Sequence, residues 1–197
     1  MYLPRVASLQ RRVARGFTLI ELMVGVAMIS LILYFMVPSM GVWMQSSQIR
    51  TATESIYSGL QLARTEAVRR NTAVELVFTS VAGGGNETDW AVRCVVPSAT
   101  CPGAGQAETS IQSREGRSGS PNATMAVNPA MASVAYTGTG RLTPVPAGNI
   151  LINVGHRTAN SCITDGGEYR CLRIVISSGG QVRMCDPALA APNPRAC

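Results

Sequence analysis

The stretch RGFTLIELMVGVAMISLILYFMV, residues 15–37, decides how the rest of the chain is read. From Phe17 to Val37 it is mostly apolar, with Glu21 as its single charge. At helical rise it spans roughly 31 Å, close to the hydrocarbon thickness of a bilayer. Arg5, Arg11, Arg12 and Arg15 precede it, no acid does, and no positive cluster follows at once. The N-terminus is therefore expected to stay cytoplasmic, with the rest of the chain on the far side of the membrane. An ordinary secretory signal would carry a small-residue cleavage site after the apolar run. Here Pro38, Ser39 and Met40 follow instead, then Trp43 and a long helical pattern.

A plain signal anchor accounts for the apolar length and the arginine flank, but not for Glu21. A carboxylate inside an apolar span costs roughly 2.5–3.5 kcal/mol near the bilayer centre and less near an interface, so it is usually kept for a partner. Cutting the chain between Gly16 and Phe17 creates a positive α-amine four residues before Glu21. That amine, on the same chain or a neighbouring one, is the obvious counter-charge.

The run from Arg15 to Val24 resembles the class III signal of type IV prepilins and type II secretion pseudopilins. The resemblance implies that the cut follows Gly16 and that the prepilin peptidase also methylates the new N-terminal Phe17. It implies that Glu21 neutralises the N-terminus of an adjacent subunit in a filament. It further implies an α+β type IV pilin fold, a long N-terminal helix packed on a small antiparallel sheet domain with disulfide-stapled loops. The expected organisation is a leader at 1–16, a transmembrane and filament-core helix at 17–38, an amphipathic continuation at 39–71 and a periplasmic β-rich domain at 72–197. Pro38 follows the apolar run, where it would kink or locally melt the helix; prepilins often carry a proline at this place.

Past Pro38, Ile49, Ala52, Ile56, Leu60, Ala63 and Ala67 recur at spacings of three and four, the mark of an amphipathic helix with one core face. Arg64, Arg69 and Arg70 cluster near its end, before Asn71. They suit the negative end of a helix dipole, with Asn71 as the stop residue, better than a phosphate patch. The stretch Leu60–Asn71 resembles the FimT/GspH branch of minor pilins and pseudopilins, to which FimU-like pilins belong.

Beyond Asn71 the period changes toward strands, expected at Ala73–Thr79, Trp90–Val96, Ser133–Thr137, Ile150–Val154, Leu172–Ser177 and Gln181–Cys185. Gly83-Gly84-Gly85 separates the first two, and no lysine or helix start follows it to make a phosphate loop. Residues 103–130, rich in Gly, Ser, Ala and Pro, read as a long surface excursion. In the last hairpin, Leu172, Ile174 and Ile176 share one face, as do Val182 and Met184. A three-residue turn, Ser178-Gly179-Gly180, pairs Ile176 with Val182 and keeps these faces together, whereas a two-residue turn sets Ile176 opposite Arg183. Arg173 and Arg183 are then diagonal neighbours on the outer face.

Cys94, Cys101, Cys162, Cys171, Cys185 and Cys197 all follow the apolar span, which fits disulfides in an oxidising compartment. Fifteen pairings are open; the short-range set Cys94–Cys101, Cys162–Cys171 and Cys185–Cys197 is the expectation. There is no CxxC pair, so no metal is expected, nor any cofactor.

The formal charge of +6 shrinks once it is divided. Removing the leader takes 4 of 17 arginines, leaving 13 against 11 acids, a net +2. The basicity is mostly a targeting signal rather than a nucleic-acid footprint. His156 is the only histidine, and its neighbours Gly155 and Arg157 read as a loop edge. No paired carboxylates or nucleophile elbow accompany it, so the chain is not expected to be an enzyme.

The leading expectation is a minor pilin, anchored in the inner membrane and then packed in or priming a type IV pilus with other pilins. Two alternatives stand beside it. One is a GspH-like pseudopilin of a type II secretion system. The other is a DNA-binding minor pilin: some FimT-type pilins bind DNA through a glycine-arginine-any-arginine motif. Here Gly180-Gln181-Val182-Arg183 stands at the matching place, with glutamine for the first arginine. Arg183, helped by Arg173 and Arg170, would carry the double-stranded DNA contact.

Overall fold

The computed structural model describes residues 16–79, 88–105, 109–158 and 160–197; the side chains of 35–39 lie outside that description. One α-helix, α1, runs Leu19–Arg70. The described strands are β1 (Val74–Phe78), β2 (Trp90–Cys94), β3 (Gln112–Arg114), β4 (Ala123–Asn128), β5 (Ser133–Tyr136), β6 (Leu142–Thr143), β7 (Ile150–His156), β8 (Leu172–Ile176) and β9 (Val182–Cys185). A short 3-10 turn at Ile163–Asp165 precedes β8. By its contacts the chain divides into two compact units at Met40/Gly41.

In the second unit every residue of the stripe Ile49, Ala52, Ile56, Leu60, Ala63 and Ala67 is buried. It shares one hydrophobic cluster with the inner faces of two antiparallel sheets. The first has the order β3-β2-β1-β5-β6, the second β4-β7-β8-β9. β1 and β2 alternate buried and half-buried residues, as a strand with one core face must. Two polar groups enter this core as a pair: the Trp90 indole N–H donates to Ser55 Oγ at 2.9 Å.

The helix ends where a left-handed residue is available. Asn71 has φ +50°, its N–H donates to the Val68 carbonyl, and the Thr72 N–H donates to the Ala67 carbonyl. Those two bonds form a Schellman stop. Arg69 and Arg70 both bond Glu66, at 2.7 Å each, so these cations answer a neighbouring carboxylate as well as the helix end. Gly138 lies so close to Asn71 that a Cβ there would come within 2.8 Å of its carbonyl carbon.

The last hairpin pairs Ile174 with Met184 and Ile176 with Val182. Gly180, at φ +83°, closes the three-residue turn, and the Ser177 N–H bonds the Gln181 carbonyl beneath it. Disulfides join Cys94 to Cys101, Cys162 to Cys171 and Cys185 to Cys197.

Residues 103–130 depart from the sequence expectation. They contribute β3 to the edge of the first sheet and β4 to the edge of the second, and β4 pairs with β7 along its whole length, Ala123 opposite His156 to Asn128 opposite Leu151. Among the described residues, the two strands are sheet components within what is otherwise a surface excursion. The Gly83-Gly84-Gly85 loop lies outside the described residues.

Candidate functional site

The N-terminal motif occupies the entrance to α1. Thr18 caps the helix: its side-chain oxygen accepts from the Glu21 N–H at 3.3 Å and its carbonyl from the Leu22 N–H at 3.2 Å. Thr18-Leu19-Ile20-Glu21 has the T-x-x-E spacing of a capping box, which puts Glu21 in the first turn, at the positive end of the helix dipole. Gly16 and Phe17 precede the cap as exposed, non-helical backbone, with Phe17 85% exposed. The Gly16–Phe17 bond thus lies just outside the helix.

Beyond this entrance the helix surface is apolar all round. Leu19, Ile20, Leu22, Met23, Val26, Met28, Ile29, Leu31, Ile32 and Leu33 are all exposed. A helix of this kind finds a low-energy surrounding only in lipid or among similar helices. The Ser30 hydroxyl donates back to the Val26 carbonyl at 2.8 Å, so it brings no unmet hydrogen bond into such a setting. Glu21 is the one charged residue on Leu19–Tyr34, and it forms no ion pair with a described residue. Among the described residues no helix is long and apolar enough to cross a membrane; the anticipated span also takes in 35–39, whose side chains are not described. α1 runs unbroken through Pro38, so the local melting expected there does not occur.

The arginines of the last hairpin are engaged within the chain. Arg173 Nε donates to Asn153 Oδ1 at 2.6 Å, its cross-strand partner on β7. Arg183 bonds the Cys197 carbonyl at 3.4 Å, and Arg170 forms an ion pair with Asp186 at 2.7 Å. Arg173 lies directly opposite Cys185, so the tail tethered by Cys197 shares the face that carries both arginines. The expected Cys185–Cys197 pairing implies that the tail returns to the sheet; what the sequence does not reveal is that Asn153 and the Cys197 carbonyl take up the two arginines.

His156 ends β7 with its ring centroid 4.6 Å from that of Tyr169, and its Nδ1 accepts the Thr158 N–H at 3.1 Å. Burial, and then Arg157, hold its pKa below the ordinary value. Among the described residues no cluster of His, Cys, Asp and Glu could hold a metal.

A family model described as type II transport protein GspH matches residues 52–180, and one described as the prokaryotic N-terminal methylation motif matches residues 11–33. No curated protein matches the chain. Among solved structures, the type IV minor pilin FimU of Pseudomonas aeruginosa (strain PAO1) is similar in two crystal forms. The P21 form gives a TM-score of 0.52 at 16% identity over 74% of this chain and 93% of that one. The P65 form gives 0.51 at 19% identity over 73% and 98%. The minor pseudopilin EpsH of the Vibrio cholerae type 2 secretion system gives 0.48 at 9% identity over 72% and 99%.

Proposed function

Because the chain belongs to the GspH family and carries the N-terminal methylation motif, we propose that it is a minor pilin, clipped at Gly16–Phe17, methylated on Phe17 and built into a type IV pilus. The family is one of pilins and pseudopilins, structural subunits rather than enzymes. Its members are membrane-anchored, are processed by the prepilin peptidase and assemble with other pilins. The observation that carries the proposal is the all-round apolar helix from Leu19 with Glu21 in its first turn. Such a surface is stable when neighbouring helices enclose it. The buried carboxylate then takes as counter-charge the Phe17 amine of an adjacent subunit, a group that exists only after cleavage. The leader at 1–16 stays cytoplasmic before the cut, and the disulfide-bonded domain stays in the periplasm until the subunit enters the filament.

Truncating Glu21 tests the assembly role. Removing one member of a buried ion pair typically costs roughly 3–5 kcal/mol, so Glu21→Ala is expected to lower recovery in sheared filaments by well over tenfold while membrane levels hold. Equal recovery of variant and parent would contradict it. A second reading, a pseudopilin of a type II secretion system, draws support from the family's own description; the FimU fold supports the pilus. Cross-linking in membranes separates them by whether pilus or secretion-system subunits are captured.

A further inference from the structure

Among the described residues the two sheets have β3, β6, β4 and β9 as their outer strands. An outer strand carries a row of open backbone N–H and C=O groups that another strand can take up. Proteins blunt such rows with shortness, charge, proline or a cover. β6 has two residues and runs into Pro144. β3 has three and carries Arg114. β9 carries Arg183, and past its end the tail lies alongside, the Asp186 N–H donating to the Arg195 carbonyl. β4 has six residues, Ala123–Asn128, none of them charged. We propose that the free edge of β4 pairs antiparallel with β4 of a second copy of this chain, about a twofold axis at Ala126.

The ladder to β7 fixes which groups face outward. Ala123 stands opposite His156, and one step further the Arg157 N–H donates to the Asn122 carbonyl at 2.9 Å. Bonded and non-bonded positions alternate along an antiparallel pair. Thr124, Ala126 and Asn128 therefore bond β7, while Ala123, Met125 and Val127 turn their N–H and C=O groups to the free edge. The Ala123 N–H is already given to the Ser120 carbonyl, and Pro129, the next outward position, has no N–H. Met125 and Val127 are left with no backbone partner among the described residues.

This pattern matches itself. A twofold axis at Ala126 sets Met125 opposite Val127 of the second copy, so every open N–H of either strand meets an open carbonyl. It also sets Ala123 opposite Pro129, the outward positions with no N–H to offer. On the outer face exposed Ala126 meets its own counterpart, and Thr124 meets Asn128, hydroxyl against amide. Met125 and Val127, only partly buried against the core, cover one another. No charged residue occurs from Ser118 to Gly140, so self-pairing sets no like charges face to face, and a charged foreign strand finds no counter-charge. The contact is isologous and closes at two copies, so it does not grow into a fibre. It concerns the second unit alone and holds for a pilin and a pseudopilin alike.

The test uses the full-length protein in detergent micelles, with dimer dissociation constants read by native mass spectrometry over a dilution series. The parent is expected to dimerise. Ala126→Lys and Ala126→Glu, at an exposed position, each set like charges opposite one another and should weaken the dimer about fivefold. An equal mixture of the two should restore it as a heterodimer, identified by its mass. Near-ultraviolet circular dichroism matching the parent shows that both variants are folded. Val127→Pro removes an outward N–H, leaves the β7 ladder intact and should weaken the dimer by more than about tenfold. Ala190→Lys, exposed on the tail, should leave it unchanged. A monomeric parent overturns the proposal, as do single Ala126 variants that dimerise like the parent. So does a mixture of folded variants that stays as weak as either alone, because β4 then does not face itself at Ala126.

Discussion

Trp90 and Tyr136 both carry a polar tip into the core, and their surroundings treat it differently. The Trp90 indole N–H meets Ser55 Oγ at 2.9 Å, whereas the fully buried Tyr136 hydroxyl has no hydrogen-bond partner among the described residues. Burial pushes the Tyr136 pKa up to about 12, against the pull of Arg64. Ser55→Ala should therefore cost about 1–3 kcal/mol, because it strands a buried donor, while Tyr136→Phe should leave stability unchanged or raise it. Urea titration of both variants checks the contrast. Glu66 gives a pH dependence. Its hydrogen bond from Arg69, and further interactions with Arg69 and Arg70, outweigh burial and hold its pKa below 4.5. The unfolded chain therefore binds this proton first as pH drops. Stability from Glu66 is complete above about pH 4.5 and is lost as pH falls through the lowered value. Thermal melts should show an acid-side decline for the parent that is shallower in Glu66→Gln. The Trp90–Ser55 pairing could not be read from the sequence, since the tertiary fold brings the two together, whereas Glu66 stands three and four residues before Arg69 and Arg70, a spacing the sequence does show.

At the level of elements, α1 has two surfaces with different fates. From Ile49 to Ala67 its apolar residues form a stripe of helical period, legible in the sequence because most of the intervening residues are polar, and Leu60 on that stripe is fully buried. Leu60→Ala should cost about 2–5 kcal/mol in a denaturant titration. Gly138 backs onto the helix stop, where Gly138→Ala would press a Cβ into the Asn71 backbone and should cost about 1–3 kcal/mol. The register of β8 with β9 was equally legible: only one turn length keeps Ile174, Ile176, Val182 and Met184 on one face. The edge strands were harder. β3 is Gln112-Ser113-Arg114, with no apolar residue to set a period, and β6 is two residues long. β4 does alternate, through Ala123, Met125 and Val127, but flanking glycines, serines and prolines mask the signal in a composition window.

Across the molecule, the second unit is fastened by disulfides of short span, with sequence separations of 7, 9 and 12. Reduction should lower its stability by about 2–4 kcal/mol per loop, with the Cys185–Cys197 closure releasing the tail from the Arg173 face. The N-terminal motif was legible because its chemistry is local: a glycine, an aromatic, an acid four residues on and an apolar run. The commitments of Arg170, Arg173 and Arg183 were not, because Asp186, Asn153 and the Cys197 carbonyl come from elsewhere in the chain or the fold. Assembly of the subunit rests on a new amine at Phe17 facing Glu21. Mass analysis of the N-terminal peptide from membrane-extracted protein tests it most directly. The predicted peptide begins with N-methylated Phe17; a peptide that begins at Met1, or that reads continuously through Gly16–Phe17, would contradict it.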